Sequence, residues 1–301
     1  VISSLISSLS VAELSGSVDC GLFLPSSEKQ KESIMPELPE VQSVLDGVLP
    51  ILQKRRVLGL QSYYPGTLIL DPDLGEKVFP LFLKKTWRRG KYMIFDFEEG
   101  YSFIVHLRMT GKLVYEPCPV GIHKHERARF ELENGEAIKF IDPRTFGKIW
   151  LFKSENLQRY LPNLGVEPLD DGFDEAYLAN ALKGRKAPVK NLLLDQRLIA
   201  GLGNIYVCEL LYRSGVRPDR SGESVKSSEI KRIVKDTKEV LKEAIIAGGT
   251  SISDYRNVDD KSGEFQRFLR VYQKKACPKG HDIENIRLGG RSSFFCPKCQ
   301  K

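Results

Sequence analysis

The period of the apolar residues changes once along this chain, near residue 153, and that change limits what it can fold into. Between residues 56 and 152 the apolar side chains alternate or run in short blocks, at 92–97, 103–107, 128–132, 137–141 and 148–152. That is the two-residue period of strands. Turn formers stand between the blocks, at Glu99-Gly100 and Asn134-Gly135. After residue 153 the period becomes helical, and helices are expected over 175–182, 204–214 and 228–247. In the last of these Ile230, Ile233, Val234, Thr237, Val240, Leu241, Ala244 and Ile245 form one stripe. A Ser cap is expected before it and Gly248-Gly249 after it. One helix precedes the strands: Val41, Val44, Leu45 and Val48 recur at helical spacing over 37–49, and Pro50 should end or kink it. The expected class is therefore α+β, an N-terminal β-sandwich or barrel followed by a helical half. At 301 residues there is room for two such cores.

The formal net charge is +7, and its location matters more than its size. Residues 265–301 hold nine Lys and Arg against Asp282 and Glu284, which accounts for the whole excess. A basic cluster on a short segment is the footprint of a polyanion partner, or else a solvated tail. No apolar run is long enough to span a bilayer, so no membrane partner is expected.

Six cysteines are present. Cys20, Cys118 and Cys208 are scattered and read as free thiols, which fits a reducing, cytoplasmic location. Cys277, Cys296 and Cys299 cluster with His281. Cys296-Pro-Lys-Cys299 is a knuckle that can hold two thiolates on one ion. Cys277-Pro-Lys-Gly280-His281 offers two more ligands, with fourteen residues between His281 and Cys296. Four N/S donors in this pattern point to one structural Zn2+, against the alternative of a metal-free turn. Arg291 falls at the tip of the intervening hairpin, where it can reach a phosphate or groove edge, or can be an ordinary exposed charge. Residues 1–34 stand apart: ten are Ser and none is Arg. They read as a disordered lead or a mis-set start, and translation is expected to begin at Met35.

Several motifs then follow in order. They are Met35-Pro36-Glu37-Leu38-Pro39-Glu40-Val41, Arg89-Gly90-Lys91-Tyr92, His106-Leu107-Arg108-Met109-Thr110-Gly111 and Asp142-Pro143-Arg144-Thr145-Phe146-Gly147. Gly201-Leu202-Gly203-Asn204-Ile205-Tyr206, Gly248-Gly249-Thr250-Ser251 and the terminal cysteines complete the series. From Met35 to Lys301 the sequence resembles formamidopyrimidine-DNA glycosylase, the bacterial repair family for oxidised purines. The resemblance implies a β-sandwich catalytic domain over 35–165 and a helical helix-two-turn-helix DNA-binding domain over 166–264. A small zinc-finger hairpin over 265–301 completes it. It also implies a monomer acting on damaged double-stranded DNA in a bacterial cytoplasm, at the nucleoid.

The resemblance assigns roles as well. With Met35 removed, Pro36 carries a free secondary amine, and an α-amino group titrates at about 7.7–8, so much of it is nucleophilic at cell pH. Attack at the sugar C1′ expels the damaged base and leaves an iminium, which drains electrons for β,δ-elimination of the strand. Glu37 moves protons at the ring oxygen or the amine, work of roughly 10²–10⁴-fold. Read from the residues alone, Pro36-Glu37 is a proline and acid opening a helix. Lys91 lies at the catalytic site against a phosphate. Met109, Arg144 and Phe146 fill the stack that base extrusion empties. His106, His125, Lys190 and Asn204 match phosphate-contacting positions; Asn204 opens a helix, whose N–H groups favour an anion. Residues 250–263 match the loop that closes over the everted base.

The chain departs from this family in two places. Gly280 stands where the second finger cysteine is usual, with His281 next to it. If residues 1–34 stay attached, Pro36 is an amide without a usable lone pair, and a non-catalytic lesion-binding protein is the alternative. The sister branch for oxidised pyrimidines reads Pro-Glu-Gly-Pro-Glu at its start, and Leu38 in place of that Gly favours the purine branch. A generic zinc-finger DNA-binding protein would leave Pro36, Glu37 and Lys91 unexplained.

Overall fold

The computed structural model describes residues 35–75, 77–251, 258–259 and 262–301. The expectations for residues 1–34, and for most of the loop over 250–263, lie outside them.

The chain opens with helix α1 (Leu38–Leu52). Nine strands follow: β1 (Val57–Ser62), β2 (Leu68–Leu70), β3 (Leu83–Arg89), β4 (Tyr92–Phe97), β5 (Tyr101–His106), β6 (Lys112–Glu116), β7 (Glu126–Leu132), β8 (Ala137–Ile141) and β9 (Lys148–Lys153). They form a four-stranded sheet, β1-β7-β8-β6, and a five-stranded sheet, β2-β9-β5-β4-β3. All pairings are antiparallel except β2 with β9. Strand β7 alternates buried and half-buried along its whole length, the signature of a strand with one face on the core. Phe95, Phe97, Phe103 and Val105 from one sheet meet Leu113, Phe130, Ile138 and Phe140 from the other. The Val41, Val44, Leu45 and Val48 stripe of α1 closes the same core. Central strand β5 is buried on both faces, because Ile104 turns outward onto Ile94 and Phe152 under a second small cluster.

Two expected boundaries change. Pro50 does not end α1, which runs on to Leu52. The proline's missing N–H withdraws one partner, from the carbonyl four residues back, while Leu49 O, Ile51 O and Leu52 O accept the N–H groups of Gln53, Lys54 and Arg55. The long helix expected at 228–247 runs from Ser227 to Ile246, and its cap is not a serine. Lys226 is the N-cap residue, and its N–H donates to the Glu229 carboxylate (2.8 Å), which Arg220 also holds. At the other end Gly248 and Gly249 donate back to Ile245 and Ala244, as a glycine stop should.

The helical half holds α2 (Leu157–Tyr160), α3 (Glu175–Leu182), α4 (Val189–Leu194), α5 (Asn204–Ser214) and α6 (Ser227–Ile246). The basic tail forms a hairpin, β10 (Glu284–Leu288) with β11 (Arg291–Phe295). This tail is no separate module: Val271, Tyr272, Cys277 and Cys296 are buried in the core of α3–α6. Glu209 on α5 fixes its entry by accepting the N–H groups of Arg270, Val271 and Tyr272 (2.8–2.9 Å). Leu38 also belongs to the helical core, so α1 begins in one half and packs its stripe into the other. Among the described residues no helix is long and apolar enough to cross a membrane.

Candidate active site and nucleic-acid interface

The site begins where α1 meets the start of α5. Glu37 is the N-cap residue of α1, only 3% exposed. Its carboxylate accepts the N–H groups of Ile205 (3.0 Å) and Tyr206 (3.4 Å). The anion expected at the Asn204 end of α5 is therefore supplied by the chain itself. The Gly-Leu-Gly-Asn sequence follows from this approach. A Cβ at Gly203 would stand 2.2 Å from Glu37 Cδ, and one at Gly201 2.8 Å from Leu38 Cδ1. Leu38 N–H also donates to Gly201 O (3.1 Å), which pins the two segments together.

Glu40 ties this arrangement to the loop after α6. One of its oxygens accepts Glu37 N–H (2.8 Å), and the other accepts Thr250 N–H (2.7 Å) and the Tyr206 hydroxyl. Lys91 approaches from the β3–β4 turn and is 5% exposed. Glu167 fixes that turn: it accepts Gly90 N–H (2.6 Å) and pairs with Arg88 (2.6 Å) and Arg89 (2.8 Å). The sequence reading assigned no role to Glu40 or Glu167. The spacing of Glu40 three residues after the N-cap is a readable capping-box signal; Glu167 carries no local signal.

Burial pushes Glu37 up to about 7. Lys91 pulls it down, Glu40 adds to the rise, and the α5 N–H groups pull it down. Burial likewise lowers Lys91, with Glu37 opposing and Arg291 pushing further down. Arg291 is exposed at the start of β11. Burial raises Glu40 as well. Pro36 is buried beside Glu37.

A second constellation lies on two loops, 106–111 and 142–147. Asp142 is fully buried and holds both: it accepts the Thr110 hydroxyl, Arg144 N–H (3.2 Å) and Gly147 N–H (2.7 Å). Arg108 and Thr145 sit at φ of 56° and 62°, a region that non-glycine residues enter only when their surroundings force it. On this frame Phe146 is 50% exposed, with the Arg144 guanidinium 5.0 Å over its ring, and Met109 is half-buried. His125 borders the same frame, since its carbonyl accepts Asp142 N–H (2.8 Å).

The other expected contacts are placed differently. His106 is 4% exposed, edge-on to Tyr92 at 4.4 Å. Burial, then Arg108 and Lys91, lower it to about 3, so its ring is neutral. Lys190, expected to meet a phosphate, is fully enclosed and donates to Ser292 O (2.8 Å) and Ser293 Oγ (2.6 Å). It fastens α4 to β11 instead of facing solvent. Asn204 Nδ2 donates to the same Ser292 carbonyl (3.0 Å).

In the tail, donor atoms of Cys277, His281, Cys296 and Cys299 all lie within 4.8 Å of one another. His281 Nδ1 is 3.4 Å from Cys299 Sγ and 3.7 Å from Cys296 Sγ. Zn–S and Zn–N bonds of about 2.3 and 2.0–2.1 Å at tetrahedral angles separate neighbouring donors by roughly 3.5–3.8 Å, so the set fits zinc. Gly280, at φ 77°, makes the turn that brings His281 rather than its own position to the cluster. Cys118 is exposed and Cys208 buried, both free thiols.

Fold and site together define a DNA glycosylase with a helix-two-turn-helix body and a zinc finger. The chain matches the formamidopyrimidine-DNA glycosylase N-terminal domain over residues 35–149 and the H2TH domain of the same enzymes over 164–256. It also matches the zinc finger found in FPG and IleRS over 280–301. The formamidopyrimidine-DNA glycosylase of Desulfitobacterium hafniense is 40% identical over 275 residues, 88% of this chain and all of that one. That of Ruegeria pomeroyi is 38% identical over 283 residues, 89% of this chain and all of that one. Among solved structures, the MutM (Fpg) protein from Thermus thermophilus superposes with TM-score 0.79 at 34% identity, covering 88% of this chain and 98% of that one. A Lactococcus lactis Fpg mutant in complex with Fapy-dG-containing DNA superposes with TM-score 0.81 at 31% identity, covering 88% and 100%. The chain belongs to the formamidopyrimidine-DNA glycosylase family of DNA repair enzymes.

Proposed function

We propose that this protein removes oxidised purines, 8-oxoguanine and formamidopyrimidines, from duplex DNA and then cleaves the strand by β,δ-elimination. The observation that carries the reading is the buried Glu37 carboxylate, next to Pro36 and facing Lys91, with an affinity for protons near neutrality. In a chain that starts at Pro36 the amine attacks C1′ of the damaged nucleoside. Glu37, near half-protonated at pH 7, gives a proton to the opening sugar and takes one back. Lys91 supplies positive charge to a phosphate beside the lesion, and Arg291 on the tail hairpin reaches the same backbone. Met109, Arg144 and Phe146 enter the stack as the base leaves. His125 contributes a phosphate contact at the edge, and His106 can do so only as a neutral donor. One zinc ion, held by Cys277, His281, Cys296 and Cys299, fixes the hairpin that carries Arg291. The ion's part is structural, cross-linking the tail. Partner DNA is damaged and double-stranded, and a monomer suffices, since every proposed group lies on one chain.

The test is single-turnover cleavage by a chain starting at Pro36. Duplexes should carry 8-oxoguanine, a formamidopyrimidine or an oxidised pyrimidine. Oxidised purines should be cut fastest, leaving phosphate on both new ends. Preference for the pyrimidine would move the protein to the sister branch. Binding of all three lesions without cleavage would leave only a lesion-binding protein.

A further inference from the structure

Tyr206, on the first turn of α5, is fully buried and touches both carboxylates of the cleft. Its N–H donates to Glu37 (3.4 Å) and its hydroxyl to Glu40. The other oxygen of Glu40 accepts Glu37 N–H (2.8 Å), so the three residues close a ring. The phenol has one hydrogen, and it goes to Glu40. The Thr250 hydroxyl, 3.0 Å away, must then donate to the phenol oxygen. Thr250 N–H reaches the same Glu40 oxygen from the backbone (2.7 Å). Glu40 thus receives two N–H groups and one O–H, an arrangement that favours its ionised form. Burial works against that form, and the Tyr206 hydroxyl leads the groups that oppose burial.

We infer that Tyr206 is a positioning residue for Glu37: its hydroxyl fixes the Glu40 carboxylate, and that carboxylate fixes the backbone from which Glu37 acts. The inference rests on the reading of Glu37 as the group that moves protons, and adds the residue that keeps it in place. Helix α5 then acts on Glu37 twice. Its first N–H groups hold the carboxylate directly, and the Tyr206 side chain holds the Glu37 N–H by way of Glu40. Without the hydroxyl, Glu40 keeps only its two backbone donors, and nothing from α5 holds its side chain. A misplacement of Glu37 by a fraction of an ångström is enough to slow a proton transfer. The ring of Tyr206 packs on Phe265, 5.7 Å between centroids, and that packing does not depend on the hydroxyl.

The experiment measures single-turnover excision of 8-oxoguanine against enzyme concentration, which separates the plateau rate from the concentration at half-saturation. It compares wild type, Tyr206→Phe, Glu40→Gln and the double variant, each in the chain starting at Pro36. Tyr206→Phe keeps the ring and the backbone N–H and removes only the hydroxyl. Its plateau should fall about tenfold to hundredfold, the scale of one hydrogen bond to a charged group, at unchanged half-saturation. Because Tyr206 acts through Glu40, adding Tyr206→Phe to Glu40→Gln should lower the plateau by less than about twofold more. An unchanged plateau in Tyr206→Phe, or a double variant in which the two losses multiply, would overturn the inference. So would weaker half-saturation at full plateau, the behaviour of a residue that serves DNA binding alone. Should Tyr206→Phe not fold, Thr250→Val removes the outer hydroxyl of the same chain of bonds. Its plateau should fall about threefold, and no fall overturns the inference. A wild type that cuts none of the lesion duplexes would overturn the glycosylase reading, and the inference with it.

Discussion

The cleft between α1 and α5 and the paired loops at 106–111 and 142–147 treat buried carboxylates in opposite ways. In the cleft, Glu37 and Glu40 are buried together with Lys91, and their proton affinities move away from ordinary values. In the loops the single buried carboxylate, Asp142, is used up on a hydroxyl and two backbone N–H groups, while Arg144 and Phe146 stay exposed. On the proposed reading Glu37 transfers protons, which calls for a group whose charge is costly, and that side chain is enclosed. On the same reading Phe146 is an intercalating wedge, which calls for exposure on an unyielding backbone, and only its support is enclosed. Changes in the first region should alter how rate depends on pH; changes in the second should alter lesion binding alone.

Glu37→Gln is the largest expected break, with single-turnover excision falling about 10²–10⁴-fold and the inflection near pH 7 disappearing from the profile. The same variant tests burial through stability. The native state keeps the Glu37 proton up to about pH 7, whereas an unfolded chain releases it near 4.5. Between those values the native state holds more protons, so stability falls as pH rises. Urea unfolding should find Glu37→Gln close to wild type at pH 5 and more stable at pH 8, by up to about 3 kcal/mol. Equal differences at both pH values would refute burial as the cause.

Gly203→Ala comes next. Its Cβ would collide with Glu37 Cδ, so excision should drop by about 100-fold with a stability loss of about 1–3 kcal/mol in thermal melts. In Lys91→Met a charge that lowers Glu37 is gone, and the inflection should move to higher pH while excision weakens; a downward move would contradict the electrostatics. Asp142→Ala should cost about 3 kcal/mol in urea unfolding and weaken lesion binding, yet leave the inflection in place. Phe146→Ala is the mildest: stability within about 0.5 kcal/mol of wild type, and about tenfold weaker binding to an abasic-site duplex in a titration.

The contrast also explains what could be read from sequence. Strands 92–97 and 137–141 and helices 175–182 and 204–214 carry their own period, and the structure has them at those positions. The motifs at 35–41 and 89–92 singled out Pro36, Glu37 and Lys91, and the structure buries all three. The enclosure of Lys190 against Ser292 and Ser293 was not legible, since a lysine that faces phosphate looks the same in sequence. Glu167 and Glu209 escaped for the related reason that their work is on backbone N–H groups distant in sequence. Tyr272 and Cys277 read as part of a free-standing tail, yet their burial comes from helices far earlier in the chain.

The most direct test is borohydride trapping of a chain starting at Pro36 on a duplex with one 8-oxoguanine opposite cytosine. The account predicts a covalent protein–DNA adduct that peptide mapping places on Pro36, and none from a chain in which Pro36 remains an amide. An adduct on Lys91 or any other amine, or lesion binding with no adduct from either chain, would contradict it.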